Sequence, residues 1–438
     1  MNVNVGLLGL GTVGSGTANL LANNADIMAE RIGRHLLVTH AAAKNLQEAQ
    51  ADLSQIKTTE DGFEVVNDPE VDIVVELIGG YTIAKDLVLK AIENGKHVVT
   101  ANKALIATHG NEIFAAAKKH HVIVAFEAAV AGGIPVIKAL REGLAANRID
   151  KVAGIINGTG NFILTEMRDK GRDFEPVLKE AQQLGYAEAD PTFDVEGIDA
   201  AHKITILASI AFGIPLNFEK TYTEGISQIS SDDLQFARQL GYQIKHLGIA
   251  KQSRSGTAVE VRVHPTLIAQ EQLLANVNGV MNAVMVHGDA VGPTLYYGAG
   301  AGAEPTASAV VADIIDIARQ MDAPVESQVA PLGFQPDHIQ AVEILPIEQT
   351  ESAYYLRIQA EDVHAQDKVG VMAQITELLS AQSISINAIV QPDQPESTSP
   401  IVLTTDITKE AQIQRAIKAI EALPVINQPV MMIRIESL

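Results

Sequence analysis

One acidic stretch of the sequence ends in a lysine. Residues 185–203, GYAEADPTFDVEGIDAAHK, carry five carboxylates followed by one ammonium: Glu188, Asp190, Asp194, Glu196, Asp199 and Lys203. Asp199 and Lys203 are four residues apart, so on a predicted helix over 197–214 they share one face. Such a pair can move a proton to or from a substrate oxygen, although a plain helix salt bridge has the same spacing.

A second lysine, Lys103 in TANKALI, is predicted to end a strand of a parallel sheet. Ligands collect at the carboxyl edge of such sheets, so Lys103 is a candidate to reach substrate or cofactor, with a surface loop lysine as the alternative. The chain contains no cysteine, which excludes aldehyde oxidation through a cysteine thiohemiacetal. Direct hydride exchange between an alcohol and a carbonyl or imine remains, and it needs a proton donor and acceptor at the substrate.

A glycine motif opens the chain. Gly9, Gly11 and Gly14 follow a predicted strand at 3–8 and begin a predicted helix. In that context Gly9 permits a tight turn, Gly11 lets the backbone approach a pyrophosphate, and Gly14 allows close helix packing. The motif therefore predicts dinucleotide binding at a helix N-terminus, and a structural glycine turn is the alternative.

The end of the second predicted strand bears on the choice of cofactor. NAD-binding folds usually carry Asp or Glu there for the ribose 2′-hydroxyl, but no acidic residue lies between His35 and Asn45. Lys44 stands at that point instead. A cation suits the 2′-phosphate of NADP, so we predict NADP, with NAD as the other cofactor and a solvated surface lysine as the other interpretation.

The order of predicted elements indicates an α/β protein with three domains. Strands and helices alternate over 1–130, which predicts a Rossmann-type parallel sheet covered by helices. Residues 131–305 are interpreted as an α+β domain, after which helix 306–321 is predicted to return to the first domain. Residues 322–350 contain four prolines and are predicted to be a linker. Residues 351–438 follow the ferredoxin-like order βαββαβ.

The composition excludes several classes of protein. A net charge of -21 argues against nucleic acid or an anionic membrane as partner. The most apolar window, 204–216, is too short to span a bilayer, and the start of the chain lacks the basic leader of a signal peptide. The absence of cysteine fits a reducing compartment, so we expect a cytoplasmic protein.

Taken together, the motifs resemble those of the homoserine dehydrogenases. Six of them occur in family order over residues 1–320: GLGTVG, TANK, FEAAVAGGIPVI, NGTGNFILTEM, GYAEADPTFDVEGIDAAHK and YYGAGAGAEPTASAV. The segment 353–438 resembles the ACT regulatory domain, through the run DKVGVMAQITELLSAQSISINAIVQ. The chain departs from family usage at Gly160, where Thr is usual, and at Val369, where Pro is usual.

The resemblance implies reversible reduction of L-aspartate 4-semialdehyde to L-homoserine by NADPH or NADH. It makes Lys203 the proton donor to the carbonyl oxygen, with Lys103 assisting, and it gives substrate binding to Glu188, Asp194 and Asp199. Desolvation and the neighbouring lysine should lower the pKa of Lys203, while Asp199 should raise it. The sum of these effects is open at this point.

Cofactor and cation contacts are implied in the same way. With the glycine motif and Lys44, the resemblance implies that the cofactor is bound by Gly9, Gly11, Thr12, Val13, Gly14, Lys44, Lys103, Gly185 and Gly302. It also implies a monovalent cation, sodium or potassium, held largely by the backbone carbonyls of Glu127, Val130, Gly132 and Ile134.

The resemblance further implies partners. A homodimer or homotetramer is expected, with dimerisation through the sheet of 131–305, and threonine is the default amino-acid effector of the ACT domain. Because the dehydrogenase part begins at residue 1, we expect no aspartate kinase domain.

Two other hypotheses are a catalytically idle sensor, which would not need all of the acidic and basic site residues, and a related NADP dehydrogenase for another small amino-acid aldehyde.

Overall fold

The computed structural model describes residues 2–253, 256–324, 327–360, 368–390 and 400–438, except for the side chains of Lys368 and Val369. The departure at Val369 therefore lies outside the described side chains. Within the described part of the chain, no helix combines the length and apolarity needed to cross a membrane.

The N-terminal domain is a doubly wound Rossmann fold, as the alternating pattern predicts. Among the described residues, six parallel strands pair in the order β3-β2-β1-β4-β5-β6. They are β1 Asn2–Leu8, β2 His35–Ala42, β3 Lys57–Thr59, β4 Ile73–Glu76, β5 His97–Thr100 and β6 Val124–Ala125. The order reverses between β1 and β4, and in such sheets ligands bind in the crevice at that point.

Helices cover both faces of this sheet and bury two apolar clusters. They are α1 Thr12–Asn23, α2 Ala25–Ile32, α3 Gly62–Asn67, α4 Thr82–Glu93 and α5 Lys103–His120. The predicted helix after the glycine motif is thus divided in two at Asn24, whose φ of -112° and ψ of 20° are not helical. Because strands such as β4 are buried along their whole length, their apolar runs face helices on either side.

The middle of the chain forms the predicted α+β domain. Its strands are β7 Ile149–Ile155, β8 Tyr222–Thr223, β9 Tyr242–Gln252, β10 Ala258–Ala269, β11 Met281–Gly288 and β12 Gly292–Ala299. Its helices are α6 Val136–Lys138, α7 Gly158–Lys170, α8 Phe174–Gln183, α9 Thr192–Val195, α10 Ile198–Phe212, α11 Ser231–Gln239 and α12 Ala303–Gln320. The expected helix over IPVIKALREGLA is only α6 followed by a π-helical turn at Ala139–Gly143.

Helix α12 packs back on the Rossmann domain. Its Val310 and Ile314 belong to the same buried cluster as Leu7 and Leu21 of β1 and α1. A Cβ on Gly16 would lie only 3.1 Å from the backbone oxygen of Ala303, so glycine allows the two helices to approach closely. The catalytic and Rossmann domains are therefore joined through a shared core.

The C-terminal segment has the ferredoxin-like order predicted from sequence. Its elements, after the short strand β13 Glu343–Ile344 in the preceding segment, are β14 Glu351–Ile358, α13 Lys368–Ala381, β15 Ile386–Val390, β16 Ile401–Thr405, β17 Thr408–Lys409, α14 Glu410–Glu421 and β18 Met431–Ile435. Strand β18 also pairs in parallel with β10, through Thr266 with Arg434 and Leu267 with Ile435. The described strands of the α+β domain and of the C-terminal segment therefore form one continuous sheet.

Candidate active site

The glycine turn has the geometry that a bound dinucleotide requires. Gly9 has φ +99° and donates its N–H to Ala42 at 2.8 Å, while a Cβ on Gly14 would overlap the Gly9 carbonyl. Gly11 differs, because nothing lies within 4 Å of where its Cβ would be. Two glycines thus shape the turn and the third faces open space at the start of α1, where a pyrophosphate fits.

A cleft of about 360 Å³ opens beside this turn. Its lining includes Val13, Tyr81 and Lys103 of the Rossmann domain and Phe193 of the catalytic domain. Glu76, at the end of β4, accepts the N–H groups of residues 78 and 79 at 2.8 and 2.9 Å and so fixes the loop that forms one wall. The cleft therefore lies at the carboxyl edge of the sheet, between the two domains.

Two lysines meet at one carboxylate beside the cleft. Asp199, in the first turn of α10, is 4% exposed, and its Oδ2 accepts Lys203 Nζ at 2.7 Å. Lys103 Nζ lies 3.2 Å from the other oxygen, Oδ1. Lys203 also donates to the carbonyl of Ile156 at 2.7 Å. The i, i+4 pair predicted from sequence therefore exists, and a third charge from another domain joins it.

The prediction that Lys103 ends a strand is wrong, because Lys103 begins the next helix. Strand β5 ends at Thr100, and Lys103 is the first residue of α5. Asn102 caps that helix by accepting the N–H of Leu105 at 3.0 Å. Because the cap turns the chain directly after the strand, Lys103 still projects toward the carboxyl edge of the sheet.

The three charges shift each other's pKa values. Burial by itself would raise the pKa of Asp199, but Lys203 and Lys103 outweigh it and hold that pKa below its usual range. Burial lowers the pKa of Lys203, Asp199 opposes this and Lys103 adds to it, so the net pKa is lowered. Asp199 raises the pKa of Lys103, so Lys103 holds its proton more tightly than Lys203 does. The site therefore contains one firmly charged lysine and one that releases its proton more readily.

Asn157 is a site residue that sequence reasoning missed. Its Nδ2 donates to Asp194 Oδ1 at 2.8 Å and to Asp199 Oδ2 at 2.9 Å, while its Oδ1 accepts the N–H of Gly160 at 2.7 Å. It thus caps α7 and holds two carboxylates together. The only local signal was an asparagine followed by a glycine-rich helix start, which predicts a cap and says nothing of the remote acids.

The acidic stretch divides into two groups. Asp194 is turned toward the site, and burial raises its pKa. Glu188 is exposed, and its charge contributes to the raised pKa of Lys103, behind the larger contribution of Asp199. Asp190 instead accepts the N–H of Thr192 at 3.1 Å, and Glu196 accepts a serine hydroxyl. Three of the five carboxylates therefore lie around the lysines, one accepts a backbone N–H and one accepts a side-chain hydroxyl.

An aromatic wall stands behind the charges. The ring of Phe193 lies 5.9 Å from Lys103 Nζ and 5.4 Å from the ring of His202, which stacks on Phe218 at 4.2 Å. Burial lowers the pKa of His202 to about 4, so this imidazole is neutral near pH 7. The wall therefore places an aromatic ring beside Lys103 without adding charge.

Comparisons with known proteins match every part of this architecture. Family profiles for the homoserine dehydrogenase NAD binding domain, for homoserine dehydrogenase and for the ACT domain match residues 9–127, 135–315 and 358–425. A homoserine dehydrogenase of Pseudomonas aeruginosa is 62% identical over 100% of this chain and 99% of its own, and one of Neisseria gonorrhoeae is 56% identical over 100% and 99%.

The chain belongs to the homoserine dehydrogenase family. The crystal structure of a homoserine dehydrogenase from Thiobacillus denitrificans is similar with a TM-score of 0.94 and 58% identity, covering 100% of this chain and 98% of that one. A hyperthermophilic archaeal homoserine dehydrogenase in complex with NADPH has a TM-score of 0.62 and 27% identity, covering 74% of this chain and 99% of its own. The protein is therefore an oxidoreductase with a nicotinamide-cofactor domain and an ACT domain.

Four other cofactor positions expected for a homoserine dehydrogenase are not among the residues that line the cleft. Thr12 is exposed at the start of α1, and Lys44 is exposed two residues after β2. Gly302 precedes α12 with φ +119°, next to the Ala303 oxygen that approaches α1. Gly185, with φ +75°, is on the catalytic domain, at the start of the acidic stretch.

The segment expected to bind a cation in a homoserine dehydrogenase is buried. The Glu127 carboxylate accepts the N–H groups of Ile137 and Lys138 at 2.8 and 2.7 Å, so this side chain supports α6, and burial raises its pKa to about 7. Ile134 is also buried, and its carbonyl accepts the N–H of Val136 at 2.7 Å. Among the described hydrogen bonds, none ends on the carbonyl oxygens of two further positions, Val130 and Gly132.

Proposed function

We propose that this protein is a homoserine dehydrogenase that reduces L-aspartate 4-semialdehyde reversibly to L-homoserine, acting on a CH–OH group in the biosynthesis of threonine, methionine and isoleucine. The observation that carries the proposal is the pair of lysines on opposite oxygens of the buried Asp199 carboxylate at the cleft. This arrangement places Lys203, whose pKa is lowered, and Lys103, whose pKa is raised, within the same site.

Lys203 is the proton donor in this mechanism. When bound, a nicotinamide supplies the hydride to the carbonyl carbon. As negative charge develops on the carbonyl oxygen, Lys203 delivers its proton, because burial and Lys103 make that proton acidic. In the reverse direction the neutral amine accepts the hydroxyl proton of homoserine. Lys103 keeps its charge and stabilises the oxygen as that charge develops.

The carboxylates bind the amino end of the substrate. Both semialdehyde and homoserine carry an ammonium group, which prefers charged acceptors. Glu188 is exposed at the rim, and Asp194 and Asp199 are held side by side by Asn157. Asp199 has a second role, since its charge raises the pKa of Lys203 against the lowering effects of burial and Lys103.

The remaining assignments are also proposals. The carbonyl oxygens of Val130 and Gly132, with those of Glu127 and Ile134, would hold a sodium or potassium ion. The ACT domain would bind threonine as its effector, and the chain would form a homodimer or homotetramer. NADP is the preferred cofactor because Lys44 follows β2 and no carboxylate lies between His35 and Asn45.

Initial rates test the activity and its regulation together. The purified protein should oxidise NADPH only when aspartate semialdehyde is present, more slowly with NADH, and more slowly again when threonine is added. A substrate panel is the control for a related dehydrogenase. If no aldehyde leads to NADPH oxidation, the sensor hypothesis is supported. If no amino acid changes the rate, the ACT domain has no effector among those tested.

Lys44→Ala should raise the Kd for NADPH by roughly ten- to a hundredfold, because a charge-assisted hydrogen bond is worth about 1.5–3 kcal/mol, and should leave the Kd for NADH unchanged. Gly9 bonds to Ala42 at 2.8 Å, so the residues after β2 adjoin the glycine turn. Fluorescence titration with both cofactors measures the effect. Lys119→Ala, an exposed lysine in the last turn of α5, is the control. An equal loss for both cofactors would exclude a 2′-phosphate contact.

A further inference from the structure

One arginine links the ACT domain to the catalytic domain at the seam between their sheets. Arg434 of β18 is 1% exposed. Its Nε and Nη2 donate to the two oxygens of Glu410, the first residue of α14, at 2.9 and 2.6 Å. Its Nη1 donates to Glu224, which follows β8 in the catalytic domain, at 2.7 Å. A single guanidinium therefore joins the start of an ACT helix to a catalytic loop.

Glu224 is fixed on its catalytic side as well. Tyr222 donates its hydroxyl to the Glu224 carboxylate at 2.8 Å, and the Glu224 N–H donates to Val263 of β10 at 2.8 Å. The Glu224 carbonyl lies 2.9 Å from Nε2 of His246 on β9. Glu224 is therefore bonded both to Arg434 and to its own domain, so a movement of Arg434 would pull on β9 and β10 through Glu224.

The three residues after Glu224 support the acidic stretch directly. The N–H of Ile226 donates to Val195 at 2.9 Å, and the hydroxyl of Ser227 donates to Glu196 at 2.9 Å. A Cβ on Gly225 would overlap the Glu196 carboxylate. The two segments are thus in direct contact through two hydrogen bonds and one close approach.

The supported segment lies between two of the carboxylates at the lysines. Asp194 precedes it, and Gly197 follows it as the residue before α10, the helix that carries Asp199. Gly197 has φ +82°, and its Cβ would lie 3.0 Å from side-chain carbons of both His246 and Val263. The segment is therefore held against the same two residues of β9 and β10 that hold Glu224.

We propose that Glu224 is a positioning residue through which the ACT domain sets the placement of Asp194 and Asp199, and hence the affinity for the amino-acid aldehyde. The inference rests on the substrate-binding role proposed for these carboxylates. The route runs from Arg434 through Glu224 and residues 225–227 to residues 195–196. It stays within one chain, so it operates in any oligomer that the protein forms.

Glu224→Gln in the full-length chain tests this route. The amide keeps the size and an acceptor oxygen but removes the charge, and Arg434 remains neutralised by Glu410, so the fold should persist. We expect the KM for aspartate semialdehyde to rise at least about fivefold, the lower end of typical coupling between sites, while the Kd for NADPH stays at its wild-type value.

Glu436→Gln is the matched control. Glu436 is a buried carboxylate at the same seam, and the described contacts of its side chain are with Arg262, Lys251 and Ser352, none of which belongs to residues 194–199 or 224–227. Its loss should lower the Tm and leave the KM unchanged. Equal KM values for wild type and Glu224→Gln, or equal increases in both variants, would overturn the proposal while leaving the enzyme's activity established. A wild-type protein that does not reduce the semialdehyde would overturn the proposed function instead.

Discussion

Replacing Lys203 by alanine should reduce turnover of aspartate semialdehyde by about 10²–10⁴-fold, the usual contribution of a general acid, while NADPH binding is retained. Lys203 is the lysine with the lowered pKa, and its Nζ lies on Asp199 beside the cleft. The glycine turn that would bind the pyrophosphate is built from other residues, so cofactor affinity should not depend on this side chain. Steady-state rates and an NADPH titration on the same preparation measure both effects.

Lys96→Ala provides the control for loss of a buried lysine. Lys96 is 5% exposed and donates to the carbonyl of Val71 at 2.7 Å, and burial lowers its pKa as it does that of Lys203. It precedes β5 and so lies at the amino edge of the sheet, away from the cleft. This variant should lose stability and keep its kcat. Full turnover in Lys203→Ala would remove Lys203 from its proposed role.

The elements around this site were predictable where the signal is local. Alternating strands and helices gave the Rossmann domain, and three glycines in a strand-to-helix context gave the turn. The spacing of Asp199 and Lys203 gave one face of α10, because i and i+4 are neighbours on any helix. Each of these inferences needs only residues that are close in the sequence.

Contacts between distant segments were not predictable from this sequence alone. Asn157 bonds to acids 37 and 42 residues away, and Arg434 bonds to Glu224 across 210 residues. The parallel pairing of β18 with β10 depends on how two domains dock, which hydrophobic periodicity does not encode. The acidic stretch shows the same limit, since the sequence could not separate the carboxylates that bond to nearby backbone or hydroxyl groups from those that lie around the two lysines.

Asp199→Asn should shift the alkaline limb of the pH–rate profile to lower pH, by about 1–3 units, the usual effect of one nearby opposite charge. In the reducing direction Lys203 must be protonated, so the rate falls as pH rises through its pKa. Asp199 raises that pKa against the effects of burial and Lys103. Removing the charge leaves the two lowering effects opposed by Asp194 alone, so the pKa of Lys203 falls further and the rate declines at lower pH.

The asparagine keeps an oxygen that can accept from Lys203, so the geometry of the site should be conserved. Lys203 can also lose its proton, which avoids an unpaired buried charge and protects the fold. Asp190→Asn is the control, because that carboxylate belongs to the same stretch but is bound to the backbone of Thr192. Its alkaline limb should match the wild type. An alkaline limb in Asp199→Asn that is unchanged, or shifted to higher pH, would show that Asp199 does not govern the proton on Lys203.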